Sequence, residues 1–257
     1  MGRGFSVSAG NPTRYDALRA ATAARIGLGR AGDALPTTPL LDFQLAHARA
    51  RDAVHEGLDV DAVAAGLAGY HIVKLRSQAA MRGDYLRRPD LGRRADPAGL
   101  AELRCGEYDA AFVIADGLSA TAVNHQAAAL VVATCAYLGN WRIAPVALVE
   151  QGRVAIGDEI GAALGASIVV VLLGERPGLS AADSLGVYLT WAPMLGRRDS
   201  ERNCISNIRP GGLSIGAAAD QLAWLMREAR SRRISGIDLK DDRLPALEAS
   251  EAIERPP

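Results

Sequence analysis

The stretch Tyr108–Leu179 reads YDAAFVIADGLSATAVNHQAAALVVATCAYLGNWRIAPVALVEQGRVAIGDEIGAALGASIVVVLLGERPGL. Three apolar runs, ending at Asp116, Gln151 and Leu173, alternate there with two helix-like runs rich in small residues. The apolar runs are nearly continuous Val, Ile and Leu, which is typical of strands covered on both faces. We therefore predict an α/β fold with a Rossmann-like, doubly wound parallel sheet and right-handed crossovers.

Three parts of different composition divide the chain. Residues 1–100 carry apolar residues at helical spacing and are predicted to be mainly helical, with the first, Gly- and Ser-rich residues disordered. Thr38, directly before a proline, is the predicted N-cap of a long helix there. Residues 101–239 form the predicted α/β domain, in which Ser214 caps a closing amphipathic helix. Residues 240–257 are charged and contain prolines, and we predict a loose tail.

Composition limits the possible partners. The chain has 257 residues, 49% of them hydrophobic, so a packed core is expected. Its formal net charge is zero, which disfavours nucleic acid and membrane surfaces as partners. The amino terminus lacks an apolar signal segment. Cys105, Cys135 and Cys204 are odd in number and form no C-x-x-C pair, which indicates reduced thiols in the cytoplasm and no structural metal site.

Ligands of open α/β sheets bind at the carboxyl ends of the strands, so the segments just after each predicted strand are the candidate site. These segments are 116–124, 150–158 and 174–180. The helix after Ser119 has its polar side chains in its first two turns, including His125. Two interpretations stay open: these side chains meet a ligand, or Ser119 is a cap and His125 a hydrogen-bonded core histidine.

A row of glycines and one carboxylate are two further candidates for contact with a ligand. Gly157, Gly161 and Gly165 recur every four residues, so one helix face would carry no side chains. That face either packs tightly on the sheet or lets a cofactor approach. Glu175 follows the third strand in GERPGLS, where it could accept hydrogen bonds from a ligand or pair with an arginine.

A group of upstream arginines is interpreted as a solvated or interface-forming surface. They are Arg82, Arg87, Arg88, Arg93 and Arg94. No G-x-G-x-x-G follows the first predicted strand, and G-x-x-x-x-G-K-[ST] and H-E-x-x-H are absent. Nicotinamide, nucleotide and zinc-peptidase functions therefore lose their main support. From the residues alone, the chain is a ligand-binding domain without a recognisable catalytic set.

Five sequence motifs follow one another along the chain: YLRRPDLGRR, DGLSATAVNHQAA, ALVEQGRVAIGDEIG, LGERPGLS and RNCISNIRPGG. In combination they resemble the small (light) subunit of ethanolamine ammonia-lyase. That family of adenosylcobalamin-dependent enzymes converts ethanolamine to acetaldehyde and ammonia. The resemblance runs from about Ala23 to Asp238.

The resemblance implies a division of labour between two subunits. A large (β/α)₈-barrel subunit would hold the substrate, and residues 101–239 would be a cobalamin-binding domain that covers the other side of the corrin. By motif, the implied cofactor contacts are Val154 in GRVAIGD, Glu175 in GERPGLS and Cys204 in RNCISNI. No catalytic residue is implied here. The resemblance implies that the cofactor keeps its own benzimidazole on cobalt, without a metal ligand from this protein, and the absence of D-x-H-x-x-G from the chain agrees with this.

The resemblance places the protein in the cytoplasm and leaves enclosure in a bacterial microcompartment open. Two other functions are alternatives to this one. A stand-alone cobalamin-binding or carrier protein would share the sheet and the glycines but would form no stable complex with a large subunit. A nucleotide-binding oxidoreductase is disfavoured because no glycine fingerprint follows the first predicted strand.

Overall fold

A computed structural model describes residues 15–22 and 24–243. The disorder predicted for the first residues, and the tail after residue 243, lie outside the described residues. The helices are α1 (Asp16–Ala21), α2 (Thr37–His55), α3 (Val60–Ala65), α4 (Arg82–Arg87), α5 (Pro97–Ala101), α6 (Ala120–Leu138), α7 (Ile156–Leu164) and α8 (Ile215–Arg232). The strands are β1 (Ile72–Arg76), β2 (Tyr108–Ala115), β3 (Val146–Glu150), β4 (Ala166–Gly174), β5 (Leu185–Trp191) and β6 (Arg202–Ile208).

The six strands form one sheet in the order β1-β3-β2-β4-β5-β6. The first four positions are parallel, as predicted for the central three runs, and β5 and β6 pair antiparallel. The α/β class is confirmed, but the wholly parallel sheet is wrong and the Rossmann-like, doubly wound arrangement is not confirmed. The reason lies in the connections: residues 175–184 and 192–201 are too short for crossover helices, so each strand returns antiparallel.

Both faces of the central parallel strands β2, β3 and β4 are buried, in agreement with the continuous apolar runs. Phe112 and Ile114 point to the face covered by α6 and α8, whereas Val113 and Ala115 point to the opposite face, with α7. On β5 and β6 the pattern changes to alternation. Leu185, Val187, Leu189, Ile205 and Ile208 join the core under α8.

Helix starts follow the predicted caps in two of three cases. Ser119 Oγ accepts a hydrogen bond from Ala122 N at 3.4 Å, and Ser214 Oγ accepts one from Ala217 N at 3.3 Å. The Thr38 prediction is wrong, because α2 begins at Thr37, two residues earlier than that cap implies, and its N-cap Pro36 makes no side-chain hydrogen bond. Among the helices of the described residues, none is long and apolar enough to cross a membrane.

The regularly spaced glycines of α7 pack on the sheet. A Cβ at Gly157 would lie 2.3 Å from Val171 Cγ2, and one at Gly161 would lie 2.8 Å from Pro193 Cγ. Gly165 ends the helix with φ +74°. Of the two alternatives, tight packing is therefore correct, and cofactor approach to this glycine face is wrong.

The edge strand β6 is lined by later parts of the chain. Asn203 Nδ2 donates to Gly236 O at 3.2 Å and to Leu239 O at 2.7 Å. At the other end of the strand, Leu213 N donates to Asn207 O at 2.8 Å. Both ends of β6 thus have hydrogen-bonded neighbours on the outer side of the sheet.

Candidate functional site

A cleft of about 410 Å³ opens at the carboxyl ends of the parallel strands. One wall is the connection from β3 to α7, and another is the end of β4. The third wall is the face of β5 and β6 opposite α8, where Tyr188 and Cys204 are register partners. The cleft exists because the sheet turns antiparallel after β4 and exposes these alternating side chains.

The structure brings the three residues implied by the resemblance into this one cleft. Val154 lies in the β3–α7 connection, Glu175 directly after β4, and Cys204 in the middle of β6. They come from three separate segments of the chain. Their contact with a cofactor stays a prediction.

Glu175 is held by hydrogen bonds from its own chain. Ser184 Oγ donates to Glu175 Oε2 at 2.5 Å, and Asn207 N donates to the same oxygen at 3.4 Å. A Cβ at Gly186 would lie 3.0 Å from Glu175 Oε1, so the glycine leaves room for the carboxylate. Among the described residues no arginine lies within ion-pair distance of Glu175, and the arginine-pair alternative is wrong.

Tyr188 and Cys204 form the polar centre of the open sheet face. Burial raises the pKa of the Tyr188 phenol, and the neighbouring Cys204 and Glu175 add to the effect. The phenol is therefore a neutral hydroxyl at physiological pH. Cys204 is exposed, with its Sγ 3.2 Å from Ser206 Oγ.

An ion pair that the sequence did not reveal forms the floor of the cleft. Arg202 Nη1 and Nη2 each donate to Asp158 at 2.7 Å, and Nη1 also donates to Thr190 Oγ1 at 2.9 Å. The neighbouring Glu159 turns away and pairs with Arg94. Because 44 residues separate Arg202 from Asp158, no local motif could predict the pair.

A second buried carboxylate joins the ends of β2 and β3. Asp116 Oδ1 accepts a hydrogen bond from Gly152 N at 3.2 Å, and Arg82 Nη1 lies 3.4 Å from Oδ2. Burial raises the pKa of Asp116 to about 6, although Arg82 and backbone N–H groups oppose the shift.

Arg82 is largely buried and donates to Gly117 O at 2.9 Å, so the solvated interpretation of this arginine is wrong. The other four predicted surface arginines are exposed or half-exposed: Arg87, Arg88, Arg93 and Arg94.

Arg153, directly before Val154, is a cleft residue that sequence reasoning missed. Its guanidinium carbon lies 4.4 Å from the centroid of the Tyr85 ring, and its Nη2 donates to Tyr85 O at 2.9 Å. Its position inside the segment 150–158, after a predicted strand, was the available signal.

The polar side chains in the first turns of α6 do not line the cleft. Thr121 Oγ1 donates to Glu56, and Asn124 Oδ1 accepts a hydrogen bond from Asp59 N at 2.9 Å, so both side chains hold the segment between α2 and α3. His125 is exposed, so the core-histidine interpretation is wrong. A second cavity of about 630 Å³, lined by α2 and residues 179–183, lies beside Thr121.

The fold and the cleft define a ligand-binding α/β domain whose site uses an antiparallel extension of the sheet. A family described as ethanolamine ammonia-lyase light chain matches residues 12–240. Proteins named ethanolamine ammonia-lyase small subunit are similar along most of the chain. Those of Pseudomonas aeruginosa (strain PAO1) and Ralstonia nicotianae are each 53% identical over 246 residues, which cover 92% and 91% of this chain and 89% and 91% of the relatives. That of Azotobacter vinelandii is 52% identical over 238 residues, covering 89% of this chain and 88% of the relative. The chain therefore belongs to the ethanolamine ammonia-lyase light-chain family, whose members are lyase subunits.

Proposed function

We propose that this protein is the cofactor-covering small subunit of an adenosylcobalamin-dependent ethanolamine ammonia-lyase, which converts ethanolamine to acetaldehyde and ammonia. The observation that carries the proposal is the convergence of Val154, Glu175 and Cys204. Family resemblance selected these residues, two of them lie in segments that the strand-end argument also marked, and three separate segments bring them into one cleft.

The groups in the cleft fit such a cofactor. Glu175 offers carboxylate oxygens to amide N–H groups of the corrin periphery, and Cys204 lies on an open, shallow sheet face. Arg153 Nε is buried and has no hydrogen-bond partner among the described residues. An unsatisfied buried donor is costly, so the hydrogen bonding of this cleft arginine is incomplete within the described part of the protein itself.

The size of the cleft supports sharing of the cofactor between two chains. About 410 Å³ lies toward the small end of the range for small-molecule pockets, roughly 300–1,000 Å³, and a corrin with its nucleotide tail is a large ligand. The proposed role of this chain is to bind one side of the corrin and to orient it against the large subunit. Adenosylcobalamin supplies the radical that starts the reaction, and the residues of this chain exclude water and fix the position of the ring.

Exposed apolar side chains on α2 support a large protein partner. Leu40, Leu41, Phe43 and Leu45 of this helix are all exposed. Large apolar residues concentrated on one exposed element commonly mark an interface. We infer that α2 contacts the large subunit, and we infer a cytoplasmic location, either free or inside a bacterial microcompartment. The free thiols at Cys105, Cys135 and Cys204 agree with a reducing compartment.

Alkylation of the assembled enzyme tests the proposal with a control in the same chain. Cys204 and Cys105 are both exposed, but only Cys204 lines the cleft. Peptide mass spectrometry after iodoacetamide treatment should show that adenosylcobalamin slows modification of Cys204 and leaves the rate at Cys105 unchanged. Equal rates at Cys204 with and without the cofactor would contradict the proposed site.

A further inference from the structure

Two arginines in the cleft have no carboxylate partner. Arg93, Arg153, Arg176 and Arg202 all line the cleft. Arg202 is neutralised by Asp158, and Arg93 lies 4.0 Å from Asp199. Among the described residues, no carboxylate lies within 4.0 Å of Arg153 or Arg176. Arg153 and Arg176 are therefore two positive charges of the cleft without an ion-pair partner in the described part of the protein, and the unpaired Glu175 carboxylate offsets one of them at most.

Arg153 is held in place rather than extended into solvent. Its backbone N donates to Gly92 O at 2.8 Å, and its guanidinium lies against the Tyr85 ring. A Cβ at Gly92 would lie 3.1 Å from Arg153 Cγ, so the side chain runs closely over this glycine. A fixed guanidinium loses little conformational entropy when it binds a ligand.

The Tyr85 ring does not neutralise Arg153. Burial raises the pKa of Tyr85 to about 12, so its hydroxyl stays protonated, and it donates to Gly152 O at 3.3 Å. Arg82 also lies against this ring but is balanced by Asp116. Within the described ranges, each of the two guanidinium groups that meet Tyr85 has one buried nitrogen without a hydrogen-bond partner, Arg82 Nη2 and Arg153 Nε, but only Arg153 has no carboxylate partner.

We propose that Arg153 and Arg176 bind the phosphodiester in the nucleotide tail of the corrinoid. This inference rests on the proposed function and assigns one part of the cofactor to one part of the cleft. A planar guanidinium matches the oxygens of a phosphate, and charge-assisted hydrogen bonds are stronger than those to neutral amides. Glu175, on the β4 wall, is left as the acceptor for amide donors of the ring.

Binding of three corrinoids to the assembled enzyme separates phosphate contact from contact with the ring. The probes are adenosylcobalamin, adenosylcobinamide phosphate and adenosylcobinamide, which lacks both nucleotide and phosphate. Spectral titration should show that Arg153→Gln weakens binding of the two phosphate-bearing corrinoids by at least about tenfold, with less than about a twofold effect on adenosylcobinamide. Arg153→Lys should recover part of the loss because it restores the charge without the planar fork.

Arg104→Gln is the matched control. This exposed arginine precedes β2, at the amino-terminal ends of the parallel strands and away from the cleft, so the substitution should leave all three affinities unchanged. Arg176→Gln is the second test, since this side chain is exposed and has no hydrogen bond or ion pair among the described residues. Arg176→Gln should likewise weaken binding of the two phosphate-bearing corrinoids more than binding of adenosylcobinamide. This test holds even if Arg153→Gln fails to fold.

Two results would overturn the phosphate assignment. One is an equal loss for corrinoids with and without phosphate, which would assign these arginines to the ring or to the fold. The other is an unchanged affinity in both glutamine variants. In either case, continued protection of Cys204 by adenosylcobalamin would leave the proposed function standing. Loss of that protection in the wild type would instead remove the proposed function itself.

Discussion

Arg202 and Asp158 join through two hydrogen bonds of 2.7 Å, at a point where each side chain is only 2% exposed. The pair connects β6, at the antiparallel edge of the sheet, with the first turn of α7 on the parallel part. It therefore sets the position of the sheet face that carries Cys204 relative to the segment that carries Val154.

Breaking this ion pair should destabilise the protein strongly. Arg202→Met leaves the Asp158 carboxylate buried and unpaired, and Asp158→Leu leaves the buried guanidinium with only the exposed Asp199, 3.5 Å from its Nε, as an ion-pair partner among the described residues. Each should lower the free energy of unfolding by about 3–5 kcal/mol. The double variant Asp158→Leu/Arg202→Met should cost less than the sum, because no unpaired buried charge is left. Urea unfolding of the four proteins measures the cycle, and additive costs would contradict the coupling.

Closing the contact between α7 and the sheet should also be destabilising. In Gly157→Ala, the new methyl group would meet Val171 Cγ2 at 2.3 Å, and overpacking of this kind costs about 1–3 kcal/mol. Gly216→Ala in α8 is the matched control because its Cβ would meet nothing within 4 Å. It should raise stability by about 0.5–1 kcal/mol through helix propensity. Thermal unfolding that ranked the two variants in the opposite order would refute the packing argument.

The buried carboxylate of Asp116 should make stability depend on pH near 6. Its pKa is raised from 3.8 to about 6, so between these values the native state binds more protons than the unfolded state. The contribution of this group to stability is therefore full below about pH 4 and is lost as the pH rises through 6.

Asp116→Asn removes this dependence. Relative to the asparagine variant, the wild type should be about 1 kcal/mol more stable at pH 5 than at pH 7, on a linkage slope of about 1.4 kcal/mol per pH unit. Asp61→Asn, at a carboxylate that is 90% exposed, should have the same effect on the unfolding free energy at both pH values. A wild-type advantage that grew as the pH rose would contradict the raised pKa.

Polar substitution on α2 should weaken assembly without unfolding the subunit. Leu41 and Leu45 are 56% and 50% exposed and lie one turn apart. Leu41→Gln/Leu45→Gln should reduce co-purification with the large subunit by at least about tenfold, as expected when interface anchors are lost. Val132→Gln, at a residue 43% exposed on α6, is the control and should leave co-purification intact. Unchanged circular dichroism would separate the effect from misfolding.

The features that could be predicted depend on residues close in sequence, whereas the missed features depend on contacts between distant parts of the chain. The central strands and the caps at Ser119 and Ser214 could be predicted because periodicity and capping act between residues close in sequence. The direction of β5 and β6 was missed, although the short connection at 175–184 already excluded a crossover helix.

The candidate site shows the same limit. Motif resemblance found Val154, Glu175 and Cys204, and the structure brings them together. The sequence could not reveal that Arg202 is neutralised by Asp158 while Arg153 is not. That distinction depends on contacts between distant segments, and only the folded chain shows which charges are left over.

The hydrogen bonds along the outer side of β6 have a consequence for how this subunit joins others. Unpaired edge strands invite the addition of a foreign strand and, through it, open-ended aggregation. At one end of β6 the Asn203 side chain donates to the carbonyls of Gly236 and Leu239. At the other end, Leu213 N donates to the carbonyl of Asn207. Segments of this chain thus lie beside both ends of β6 and leave only the short middle of the strand for a foreign strand to pair with, which favours one defined complex over repeated addition of strands.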